Sequence, residues 1–175
     1  RSRKPASCQR LCLRAHVSLP SAYFCPALNQ SLSENKAHMD DYRDAAKRHL
    51  DDADLLFAQN PQRLANASHL YGISAECSLK TVARKFNPSA QFRGKKGLKG
   101  HIPSLFSELL HVAPDLANNT ILVAQIRRLE PRFSDWDVSQ RYEPQANFVA
   151  GTVSAQKIGA TEAHLLMTNC LSGLL

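Results

Sequence analysis

The sequence predicts an all-α fold, an antiparallel bundle of four to five helices. Three observations predict it. Apolar residues recur at steps of three and four through most of the chain after residue 38. No segment alternates convincingly with the period of two that a half-buried strand requires. Breakers such as Asn60-Pro61, Asn87-Pro88, Pro114-Asp115 and Glu130-Pro131 punctuate the periodic segments, and short connections favour antiparallel neighbours.

The first helix is expected over Asp40–Gln59, with Tyr42, Ala46, His49, Ala53 and Leu56 on one face. Asp40, Asp41 and Asp44 crowd its first turn, where the helix dipole favours negative charge. Asp51, Asp52 and Asp54 read as a solvated face, and His49 as a hydrogen-bonded core residue. Asn60 as N-cap with Pro61 at the first position predicts the next helix start. That second helix is the strongest periodic segment. Leu64, Ala67, Tyr71, Ala75, Leu79, Val82 and Phe86 form one face, widened by Leu70, Ile73 and Cys77. A helix this apolar belongs at the centre of a bundle. Glu76, Lys80 and Arg84 run down the remaining strip at four-residue spacing, as a surface pair or a buried polar pair at a dimer seam. Gly72 costs about 1 kcal/mol against Ala in a helix interior, which predicts the close approach of another backbone.

Residues 87–100 read as a loop punctuated by Pro88, Gly94, Gly97 and Gly100. From Lys80 to His101 there are seven Lys/Arg and no acid. Arg93, Lys95, Lys96, Lys99 and His101 are therefore candidate anion contacts, although the glycine spacing is neither a Walker loop nor a dinucleotide fingerprint. A third helix is expected over Ile102–Val112 with Pro103 in its first turn, and a fourth over Leu116–Leu129. Residues 132–145 carry the sole Trp, Trp136, expected in the core, but no clear period. A last helix over Thr152–Leu171 should point Val153, Ile158, Leu165, Leu166 and Cys170 inward.

Composition narrows the function classes. No apolar run reaches the length of a membrane span. The formal charge is +7, but residues 1–38 hold six Lys/Arg and one acid, while 39–175 hold 16 Lys/Arg and 14 acids. Global charge is therefore a poor argument for nucleic acid. Residues 1–38, rich in Arg and Ser, are expected to be poorly ordered or foreign to the natural protein, because Met39 directly precedes the first clean helix. A targeting peptide is the alternative. Five cysteines without a regular framework argue against a secreted disulfide scaffold. Cys8-x3-Cys12 has no matching second pair, so no metal site is expected. A cytoplasmic compartment is the default, with Cys77 and Cys170 as buried thiols.

Three motifs, in order, resemble those of HEPN domains (higher eukaryotes and prokaryotes nucleotide-binding). Tyr71-x3-Ala75-Glu76-x2-Leu79-Lys80 looks like the second-helix signature, His101-Ile102-x2-Leu105 like the start of the third helix, and Arg141-Tyr142-Glu143-Pro144 like the loop before the last helix. The likeness spans roughly residues 39–171. It implies an antiparallel bundle, often a homodimer, often the partner of a nucleotidyltransferase in toxin–antitoxin or defence systems. No cofactor is expected. Many such domains are metal-independent ribonucleases that use an Arg and, four to six residues on, a His. Here Tyr142–Phe148 contain no His, and His164 lies 23 positions after Arg141. Arg43-x5-His49 and Arg63-x5-His69 have the spacing but come too early. The expectation is thus a non-catalytic module binding nucleotide, RNA or a partner through Arg141, Tyr142 and the basic loop. A divergent ribonuclease recruiting His101 in space and a structural helical adaptor are the alternatives. Arg141 paired with Glu143 or Asp137 is the competing structural reading.

Overall fold

A computed structural model describes residues 41–89, 100–112 and 114–175, all of which belong to one compact unit, His38–Leu175. Among them lie six α-helices and no strand: α1 Tyr42–Phe57, α2 Leu64–Phe86, α3 Ser104–Val112, α4 Pro114–Ala117, α5 Thr120–Leu129 and α6 Ala150–Leu171. Three short 3-10 turns, Glu130–Phe133, Val138–Tyr142 and Gln145–Asn147, join α5 to α6. The fold is the all-α bundle the periodicity predicts. No helix among the described residues is long and apolar enough to cross a membrane.

The centre is α2, which packs on α1 and α6 and touches α3, α4 and the turn at Val138–Tyr142. Its predicted face is the buried one: Ala67, Tyr71, Ala75, Leu79 and Val82 are fully enclosed, while Leu64 and Phe86 are half-buried at the ends. Each large apolar side chain enclosed this way stabilises by about 1.5–3 kcal/mol. α1 runs antiparallel to α2. Tyr71 Oη donates to Asp54 at 2.7 Å near one end, Ser74 Oγ donates to the Ala46 carbonyl at 2.8 Å, and Lys80 and Arg84 lie over the Tyr42 ring at the other. Asp54 is therefore no solvated acid. It also pairs with Lys157 of α6 at 3.0 Å and ties three helices together. His49 is half-buried, and its Nδ1 has no hydrogen-bond partner.

Several boundaries differ from expectation for local reasons. Asn60-Pro61 and Ile102-Pro103 are cis, and α2 and α3 begin after these prolines, at Leu64 and Ser104. α2 has no side-chain cap from Arg63. Its free Ala65 N–H is taken by Gln145 Oε1 at 3.1 Å, 80 residues away. The expected fourth helix is two, because Asn119 caps α5 by accepting from the Leu122 N–H at 3.0 Å. Asp41 caps α1 in the same way through the Asp44 N–H. In α6 the buried set is Val153, Gln156, Gly159, Ala160, Ala163, Leu166, Met167 and Cys170, whereas Ile158 and Leu165 are exposed. Small residues, not bulky ones, set this register. A Cβ on Gly159 would come within 2.7 Å of the Phe133 ring and 2.8 Å of Arg132 Cβ.

Trp136 is the keystone of the link between α5 and α6. It is 1% exposed, and its Nε1 donates to the Ser68 carbonyl at 3.0 Å. Its indole lies over Gly72, where a Cβ would be only 2.0 Å from Trp136 Cε2. The close approach that Gly72 permits is thus made by a ring and not by a backbone.

Candidate functional site

Glu76 and Lys80 fall one turn apart on α2, on the face that the apolar residues leave. Both are buried, at 2% and 7% exposure, with the Tyr42 ring of α1 against Lys80. Lys80 Nζ donates to Glu76 Oε1 at 2.7 Å. The second carboxylate oxygen, Oε2, meets His101 Nδ1 at 3.1 Å. The pair is a buried one, with the imidazole of His101, 48% exposed at its side chain, as its outlet to solvent.

The arrangement assigns the tautomer. An ionised carboxylate only accepts, so His101 Nδ1 carries the proton it donates to Glu76. Nε2 is then the nitrogen left to bind or release a proton. A buried carboxylate that fixes an imidazole in one tautomer is the geometry that general acid–base chemistry needs. The Lys80 charge balances Glu76, and the cation also lies 5.4 Å from the Tyr42 ring centroid.

The turn Val138–Tyr142, which carries Arg141 and Tyr142, packs against α2. Asp137 opens that turn by accepting from the Ser139 side chain and N–H, which hold its carboxyl below the usual range, with a smaller contribution from His101. Arg141 and Tyr142 are both exposed, Tyr142 at 77%. The Arg141 guanidinium lies 4.7 Å from the Tyr142 ring centroid and forms no ion pair with Glu143 or Asp137. The competing structural reading of Arg141 is therefore not what the fold adopts. Glu143 instead accepts from Asn147.

His69 joins the two halves. Its ring stacks on Trp136 with centroids 6.1 Å apart and planes 17° apart. Burial lowers its pKa most, the Arg141 charge lowers it further, and Glu76 opposes them; His49 and His101 lower it slightly. One half-buried imidazole therefore senses Arg141, Glu76 and His101 together. Sequence spacing pairs His69 with Arg63, whereas in the fold it is the Arg141 charge that His69 feels. Only the long-range closure of the 130–145 segment onto α2 creates that neighbourhood.

Of the residues expected in the site, Glu76 contacts both Lys80 and His101, while Arg141 and Tyr142 stand on the turn packed against α2. Arg93, Lys95, Lys96 and Lys99 lie outside the described residues, as does the whole 1–38 segment. His69, Trp136 and Asp137 are additions, and the acid-poor composition of the 87–100 sequence gave no hint of them. Among the described residues no group of three His, Cys, Asp or Glu is placed to hold a metal ion. Cys77 and Cys170 are buried, and burial raises the Cys170 pKa.

The fold and site define an all-α helical protein with a buried acid–cation pair opening through a histidine. No family model, no curated protein and no solved structure matches the chain.

Proposed function

We propose that the His101–Arg141 corner binds the phosphate of a nucleotide or of RNA, in a HEPN-like helical binding module. One observation carries this reading. The exposed His101 is locked by buried Glu76 with Nε2 left over, and the exposed Arg141, which forms no ion pair among the described residues, acts on the same His69 imidazole as His101. Guanidinium holds phosphate oxygens in bidentate fashion, and the imidazole adds a second donor when protonated. The proposal extends to what the HEPN resemblance implies: a homodimer, a nucleotidyltransferase partner and a cytoplasmic toxin–antitoxin or defence role.

A second reading, a divergent metal-independent ribonuclease, is favoured by the same tautomer lock. His101 Nε2 would take the proton of a ribose 2′-hydroxyl. The 2′-oxygen would attack phosphorus, and the 5′-oxygen would leave and take a proton from water, while Arg141 holds the phosphate.

Labelled single-stranded RNA tests both. Binding should weaken steeply between 50 and 200 mM salt, since each phosphate contact releases counterions (slope ~0.7 per contact for single strands). Arg141→Ala should weaken it about tenfold, as the loss of one charged hydrogen-bond pair predicts. Cleavage abolished by both Arg141→Ala and His101→Ala would establish the ribonuclease. RNA that is not retained even at low salt ends the phosphate reading. Sedimentation of the purified protein tests the dimer.

A further inference from the structure

A polar cavity of about 180 Å³ opens beside the Val138–Tyr142 turn, between the first turns of α2 and α6. Three of its wall atoms are buried and have no hydrogen-bond partner: Ser68 Oγ, Gln140 Oε1 and Gln156 Oε1. Ser68 is 0% exposed and Gln156 2%. Leaving such groups unmatched is unfavourable, and native proteins rarely do so without a ligand or water. Gln140 Nε2 donates to the Asp135 carbonyl, which fixes the oxygen of that amide as the free end. Asp135 and Glu143 add two carboxylates, and among the described residues no Lys, Arg or His lines the cavity. The first turn of α6 also reaches it, but a helix N-terminus brings only about half a positive charge against those two acids. The wall is therefore rich in acceptors and repels anions. Phe148 supplies an aromatic face. The volume falls below the roughly 300–1,000 Å³ of drug-sized sites, so a single small ring system fits.

Gln140 and Glu143 bracket Arg141 and Tyr142, so one turn faces both the anion corner and this cavity. We propose that the cavity holds the base of the bound nucleotide or RNA and selects guanine. This rests on the phosphate reading above. Guanine is the base with two adjacent donors, N1–H and the 2-amino group, on one edge. Adenine and cytosine offer a single amino group beside an acceptor. Uracil offers one N–H between two acceptors. Stacking on Phe148 would be shared by all four bases and confer no selection.

Nucleosides, which lack phosphate, separate the base site from the phosphate corner. Isothermal titration of the full chain should show guanosine binding at least tenfold tighter than uridine. Quenching of Trp136, the sole Trp, reports on the same place, because its Nε1 is bonded to the Ser68 backbone. Gln156→Leu should abolish the preference, and the exposed Glu143→Gln should reduce guanosine affinity severalfold without touching the core. Arg141→Ala should leave guanosine binding unchanged while weakening guanosine monophosphate. Equal binding of guanosine and uridine, binding of neither, or guanosine binding unaffected by both Gln156→Leu and Glu143→Gln would overturn the base site, the last marking a cavity filled by water only. RNA binding sensitive to Arg141→Ala but blind to base identity would overturn the base site and leave the phosphate reading standing. Guanosine binding without any gain from its phosphate would do the reverse, leaving a nucleoside site.

Discussion

At the scale of single residues, the contacts that decide this protein are ones where size or charge leaves no freedom. Gly72→Ala would ordinarily favour a helix by about 1 kcal/mol. Here the added Cβ meets the Trp136 ring at 2.0 Å, and the ring is held by its bond to the Ser68 carbonyl. Overpacking wins, and urea denaturation should show a loss of about 1–3 kcal/mol. Glu76→Ala should be costlier, about 3–5 kcal/mol, because it strips a buried carboxylate from both Lys80 and His101. The histidines carry a pH signature. Burial is the main cause that lowers the pKa of His49, His69 and His164. A lowered folded value means the fold prefers the neutral ring. That contribution is complete above the unfolded value of ~6.5 and is lost as pH falls from there through the lowered folded values. Melting temperature should therefore decline on acidification below pH ~6.5, and His69→Phe, which keeps the ring on Trp136, should blunt the decline.

At the scale of elements, helix ends separate local rules from distant ones. Asn119 is a cap that the chain's own spacing provides, and Asn119→Ala should cost about 1 kcal/mol by thermal or urea unfolding. Gln145 does a similar service for α2 from the far side of the chain: its Oε1 takes the Ala65 N–H and its Nε2 donates to the Gln62 carbonyl, both at 3.1 Å. Gln145→Ala should destabilise by a comparable ~1 kcal/mol, and it should also loosen the loop that carries Arg141, which faster amide exchange over residues 138–147 would reveal. Bulk alone misleads in α6. Ile158 and Leu165 look like core and are exposed, because the stripe of Gly159, Ala160 and Ala163 allows close packing only on its own side. The exposed Leu165 lines a second cavity, about 200 Å³, between α5 and α6.

At the scale of the whole molecule, α2 organises everything else. Its apolar face was legible from a three-four repeat, because a helix that must be covered on most sides declares itself in composition. The Glu76–Lys80 pair was legible too, by its spacing. Its burial was not, since burial depends on what distant parts of the chain, Tyr42 and His101 among them, lay against it. His101 meets Glu76 across 25 residues, and His69 feels the charge of Arg141 across more than twice that separation. Such encounters follow from how elements pack and have no local signal.

The sequence by itself determined that the chain is helical, which helix is central, and which motifs could carry charge, because periodicity and breakers act over a few residues. Tertiary structure alone decided that an imidazole is fixed by a buried carboxylate, that Arg141 stands unpaired by its neighbouring acids, and that a glycine is reserved for an indole. Those facts depend on surfaces brought together from distant parts of the chain, where packing and desolvation replace spacing as the governing terms.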